Sequence, residues 1–161
     1  MIKNITESDM TFQVETDNTF EIETSAFVSQ LRGYSKVEFV CYLTANNQQE
    51  LRFVEAKTTL DNKSKEIGAI AEKFKQSLEV VYALRLRHNS EGLPNIYKSI
   101  NLNGVAIRFY IVVKDIKKEN APHLCNAIKS QLSSCCRCWN IEEKGIKVFN
   151  EQSARQHKII N

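Results

Sequence analysis

Proline is nearly absent from this 161-residue chain, which has two, and glycine numbers only five. Flexible linkers and low-complexity or fibrous segments need more of both, so the expectation is one compact domain spanning residues 1–161 around a continuous core. Long apolar runs are also missing: no stretch approaches the roughly 20 residues of a membrane helix. Met1 to Thr11 lacks the charged-then-apolar order of an export signal, so a cytoplasmic protein with no membrane partner is expected. An excess of one charge is lacking too, because 22 Lys and Arg face 19 Asp and Glu for a net +3, too little to identify a polyanion binder from composition. Five cysteines, an odd number with Cys135, Cys136 and Cys138 crowded together, speak for reduced thiols rather than a disulfide framework.

What is present is a succession of well-marked segments. Thr11 to Thr24 mixes β-formers with acids and predicts one or two short strands, including Phe20-Glu21-Ile22-Glu23, followed by a short helical or loop stretch, Ser25 to Arg32. Val37 to Leu43 and Leu51 to Leu60 are β-rich runs separated by the polar stretch Thr44 to Glu50, which predicts an antiparallel hairpin with a loop. From Asp61 to Arg87 the period changes, and Ile67, Ile70, Ala71, Phe74, Leu78, Val81 and Tyr82 form one helical stripe. Asp61 or Ser64 is the candidate N-cap, and Lys65, Glu72, Lys73, Lys75 and Glu79 are expected to face water. A loop through Asn89, Gly92 and Pro94 precedes a nearly continuous apolar strand, Val105 to Lys114. A helix from about Pro122 to Cys136, a strand from Ile146 to Phe149 and a short helix containing Ala154, Arg155 and His157 complete the order. Strand–helix alternation in the second half argues an α/β fold with a mixed central sheet flanked by helices.

Charge placement within the strands carries the chemistry. Side chains alternate across a sheet, so Glu55 and Lys57 share a face, their Cα atoms about 6.6 Å apart. Phe53-Val54 just before them is strongly apolar, and a carboxylate ending such a strand is costly to bury without a partner or an ion. Glu38 interrupts Val37 and Phe39-Val40-Cys41 in the same way. A hairpin register bringing Glu38 opposite Glu55 to Lys57 gathers two carboxylates and one ammonium, hard oxygen donors suited to Mg²⁺ or Mn²⁺.

Val37-Glu38-Phe39-Val40, then Phe53-Val54-Glu55-Ala56-Lys57, an amphipathic helix and the strand Val105 to Lys114 together resemble the core of the PD-(D/E)XK nuclease superfamily, with its restriction-endonuclease-like fold. Val37-Glu38 stands where that family has Pro-Asp, and the likeness covers roughly Phe20 to Phe149. The resemblance implies a divalent-metal-dependent nuclease, a hydrolase of phosphodiester bonds in DNA. It makes Glu38 and Glu55 metal ligands, adds the Ala56 carbonyl as a further ligand, and gives Lys57 the task of positioning or activating the attacking water. Glu23 is the best candidate for an earlier acid that joins such sites. A homodimer and a subunit role in a larger complex are both compatible with the family.

Plainer readings stand beside these. A Glu-x-Lys element is commonly an ordinary strand-edge ion pair, and Glu23 can be a solvent-facing acid. Lys63, Lys65, Lys73, Lys75, Arg85, Arg87 and His88 are candidates for a nucleic-acid backbone but also suit a solvated helix face. The same holds for Lys114, Lys117 and Lys118, and for the basic end Arg155, His157 and Lys158. Cys135, Cys136 and Cys138, even with Cys125 or His123, fit no paired zinc spacing and are expected to pack at a helix end, with Trp139 as a core plug. The alternative function is a catalytically inactive nuclease-fold module that binds nucleic acid or protein.

Overall fold

The computed structural model describes residues 1–86 and 93–159. Arg87, His88, Asn89 and Gly92 from the sequence reading lie outside the described residues. Five strands form the central sheet: β3 (Thr19–Phe20), β4 (Phe39–Ala45), β5 (Gln48–Lys57), β6 (Ala106–Val113) and β7 (Ile146–Asn150), in that spatial order. β3 to β5 are antiparallel neighbours, whereas β6 and β7 run parallel to β5. The two parallel connections are made by α1 (Ser64–Leu86) and α2 (Ala121–Trp139), and α3 (Glu151–Gln156) follows β7. The result is a mixed α/β architecture with a mixed sheet flanked by helices, as expected.

The strand register decides which side chains meet α1. Leu51 and Phe53 point to the helical side, where Phe74 of α1 stacks on Phe109 at 4.5 Å and packs edge-on against Phe53 at 5.4 Å. Val54, Ala56, Tyr110 and Val112 point to the other side. That side is covered by a separate two-stranded ribbon, β1 (Ile2–Glu7) and β2 (Met10–Glu15), through Ile5, Met10, Phe12 and Val14, and by Ala154 of α3. Ile5, Met10, Phe12 and Val14 are the inward half of an alternating pattern.

Several expectations need correction. Thr44 to Glu50 is almost entirely strand, because Asn46 and Asn47 both adopt positive φ, 49° and 59°, and close the β4–β5 hairpin in two residues. Glu21 to Glu23 do not continue β3: Phe20 pairs with Val40, then residues 22–24 turn and Ile22 is buried in the helical-side core. Trp139 is not a core plug; it ends α2 at 37% exposure and packs edge-on against Tyr82 at 4.8 Å. Cys136 is buried as expected, while Cys135 is half-buried and Cys138 exposed.

Candidate metal centre

Glu38 lies one residue before β4. Its backbone N–H donates to the Val54 carbonyl at 3.0 Å, so the pairing of Phe39 with Val54 extends by a step and sets Glu38 beside Glu55. The segment leading into it is fastened to α1, since the Val37 N–H donates to the Ser77 hydroxyl at 2.9 Å and the Ser35 N–H to the Gln76 side-chain carbonyl. Ser77 is fully buried, and this bond explains a polar residue on the apolar stripe of the helix.

Both acids face α1. Lys73 of that helix donates to Glu55 Oε1 at 2.8 Å and lies 4.0 Å from Glu38 Oε1. Lys57 Nζ stands 3.1 Å from the same Oε1 of Glu55. Lys73 therefore does not face water as expected: position 73 flanks the stripe immediately before Phe74, and its long chain reaches over the sheet edge to the acids. Glu55 is fully buried, and its Oε2 has no hydrogen-bond partner.

Glu23 comes from the turn after β3 instead of a strand, yet its carboxylate reaches Glu38. Glu7, at the end of β1, completes the group: carboxylate oxygens of Glu7, Glu23 and Glu38 all lie within 4.8 Å of one another. Glu7 escapes the sequence reading because its ribbon was not anticipated. The available signal was the two-residue alternation of Met10, Phe12 and Val14 after the polar pair Ser8-Asp9, which turns with φ of 51° and 57°. Ala56 turns its side chain to the ribbon side. By strand parity its carbonyl points the same way as that of Val54, towards the β4 side and past the start of that strand.

The electrostatics follow from crowding. Burial raises Glu38 from its ordinary 4.5 to about 9, reinforced by the hydrogen bond its protonated form donates to Glu23 and by the charges of Glu55 and Glu23, with Lys73 opposing. Burial also raises Glu55, against the pull of Lys73 and Lys57. Burial by itself would lower Lys73, but Glu55, Glu38 and Glu23 outweigh it and the ammonium is held more firmly protonated than usual.

Glu7, Glu23 and Glu38 crowd together, and Glu55 lies beside them across Lys73. The donors are all oxygen, and one of them, Glu55 Oε2, is a buried acceptor without a donor. This set fits Mg²⁺ or Mn²⁺ and is unsuited to soft metals. Nearby basic residues have local partners: Lys63, just before α1, pairs with Asp61 at 3.2 Å, and within the helix Lys75 lies 3.8 Å from Glu72 and Arg85 donates to the Ile100 carbonyl at 3.4 Å.

No protein-family model and no curated protein matches the chain. Among solved structures, that of restriction endonuclease FokI is similar at a TM-score of 0.42 and 16% identity, over 68% of this chain and 17% of that one. The chain thus spans less than a fifth of the length of that relative. Among the described residues, no helix is long and apolar enough to cross a membrane.

Proposed function

We propose that the chain is a divalent-metal-dependent nuclease that hydrolyses phosphodiester bonds in DNA. The observation that supports this most is the meeting of Glu38 and Glu55, from adjoining strands, at Lys73 on one side of the sheet, with Lys57 beside Glu55. In this reading Glu38, Glu55 and Glu23 hold Mg²⁺ or Mn²⁺ together with the Ala56 carbonyl, and Glu7 joins them. When bound, such an ion polarises the phosphoryl group and offsets the charge that develops on it.

The remaining work belongs to the protein. Lys57 is the more accessible of the two lysines, at 37% exposure, and its Nζ orients the attacking water or pairs with a phosphoryl oxygen. Lys73 lies deeper and, with Lys57, favours the charged form of Glu55 that a ligand must have. Buried Phe53 and Phe74, on the same side of the sheet, form the apolar surroundings of the acids.

The test is incubation with duplex DNA, single-stranded DNA and RNA in Mg²⁺, Mn²⁺ or EDTA. Cleavage is expected with either ion and none in EDTA. Lys57→Ala and Glu55→Gln are expected to abolish it while leaving the circular-dichroism spectrum in place; undiminished cleavage by either removes the reading. Cutting both strands with one centre per chain calls for two copies, so a homodimer accompanies the proposal, checked by light scattering.

Lys73 favours a second reading. Its ammonium already lies between Glu55 and Glu38, in the role of a cation, which suits a catalytically silent module that binds nucleic acid or a protein partner in a larger complex. Calorimetric titration with Mn²⁺ separates the two. A site lost in Glu55→Gln belongs to the enzyme; salt-sensitive DNA binding with no metal site belongs to the module.

A further inference from the structure

The acids gather at the carboxyl ends of β4's neighbours, but the opposite end of β5 and β6 carries positive charge on the other face of the sheet. Arg52 and Arg108 are direct partners across the parallel ladder. Like charges so placed repel, and a single buried carboxylate, Glu50, holds both: its Oε2 accepts from Arg52 Nε at 2.8 Å and its Oε1 from Arg108 Nε at 3.2 Å. The Arg52 guanidinium also lies 5.2 Å above the Tyr110 ring, so its plane is fixed from two sides.

These groups line a cavity of about 510 Å³ together with Lys144, Lys147 and His157. Four permanent cations there face one carboxylate that is already divided between two of them. Even with Glu142, which reaches Arg108 at 3.7 Å and Lys144 at 3.2 Å, two positive charges remain unbalanced. The exposed His157 ring meets Phe149 in a tilted contact at 5.4 Å and lines the cavity wall. An arginine pair held at electrostatic cost, a surplus of charge and an adjacent aromatic face fit alternating phosphates and bases.

We propose that this cleft binds a nucleic-acid strand, with phosphates on Arg52, Arg108, Lys144 and Lys147 and a base against His157. From Glu50 to Glu55 the backbone of β5 advances about 17 Å, so the cleft is distinct from the acid cluster. The inference goes beyond the nuclease reading and does not need it, because strand binding here requires no divalent ion.

The test is fluorescence anisotropy in EDTA with a labelled single strand of about twelve nucleotides, titrated at several salt concentrations. Lys144 and Lys147 are exposed, so the double variant Lys144→Ala/Lys147→Ala keeps the fold. It is expected to weaken binding about tenfold at low salt and to flatten the salt dependence by about 1.4 in log–log slope, roughly 0.7 for each lost phosphate contact. His157→Ala is expected to lower affinity about fivefold with the slope unchanged, the mark of a stacking contact. Wild-type affinity and slope in the double variant would overturn the proposal. So would displacement of the strand by a mononucleotide or tripolyphosphate at equal phosphate concentration, which would leave only a generic anion patch. As EDTA silences any ion-dependent cleavage, loss of binding here and loss of cleavage at the acids are read separately.

Discussion

Lys73 of α1 and Glu55 of β5 meet at 2.8 Å at the edge of the core, and the same ammonium lies 4.0 Å from Glu38. A helix and two strand ends are joined by this one side chain, and four acids would otherwise share only Lys57.

Lys73→Met tests what that contact does. The substitution leaves Glu55 with Lys57 at 3.1 Å and takes the nearby ammonium from Glu38, so the cost is expected below the about 3 to 5 kcal/mol of a wholly unpaired buried charge. The variant is expected to melt at least about 5 °C below wild type in EDTA. Saturating Mn²⁺ should recover much of this loss if the acids hold an ion, and thermal melts with and without the ion measure it. No recovery in an otherwise folded variant would favour the metal-free module.

The titration of Glu38 gives a pH dependence of definite sign. A carboxyl raised from 4.5 to about 9 binds its proton more tightly in the folded state. Its contribution to stability is therefore fully present below about pH 4.5 and is lost as pH rises through about 9. Burial raises Glu55 as well and adds to the same trend, whereas Lys73, raised from 10.5, acts only in more alkaline solution. In EDTA the melting temperature is expected to decline across this window, and Glu38→Gln is expected to flatten the decline. Divalent ions compete with protons for the same oxygens, so their apparent affinity should climb with pH. A wild-type melting curve as flat as that of Glu38→Gln would contradict this account.

Glu7→Gln separates the ribbon's chelating role from its packing role. Glu7 is only half-buried, and its replacement leaves Met10 and Phe12 in the core. Calorimetry is expected to find Mn²⁺ bound roughly tenfold more weakly, with the melting temperature in EDTA no lower than wild type, because one of three crowded acids has been neutralised. Unchanged Mn²⁺ affinity would remove Glu7 from the ligand set.

Much of this arrangement can be read from the residues alone. The period-two logic that sets Glu55 and Lys57 on one face holds in β5, and the stripe from Ile67 to Val81 is the buried face of α1. Glu38 falls on the same side as Glu55 because hairpin pairing preserves parity. Residues whose placement depends on distant contacts were harder to read. Lys73 looks solvent-facing on a helical projection, and only the docking of Phe74 onto Phe53 and Phe109 turns its reach towards the acids. Glu23 does not sit in a strand, because Ile22 finds its partners across the core instead of along a ladder. Arg52 and Arg108 are 56 positions apart, and their pairing follows from the parallel register of β5 with β6, which local pattern does not specify.

The ribbon of β1 and β2 forms a sheet of its own, covers the side of the central sheet away from α1, and has its tip tied to the residue after β6 through Asp9 and Lys114 at 3.6 Å. Since it carries Glu7 to Glu23 and Glu38, peeling it away would strip oily cover and chelating capacity in a single event. If the acids hold an ion as proposed, dissolved cation acts as a stitch, its concentration setting how often this flap lifts and how readily a protease nicks it.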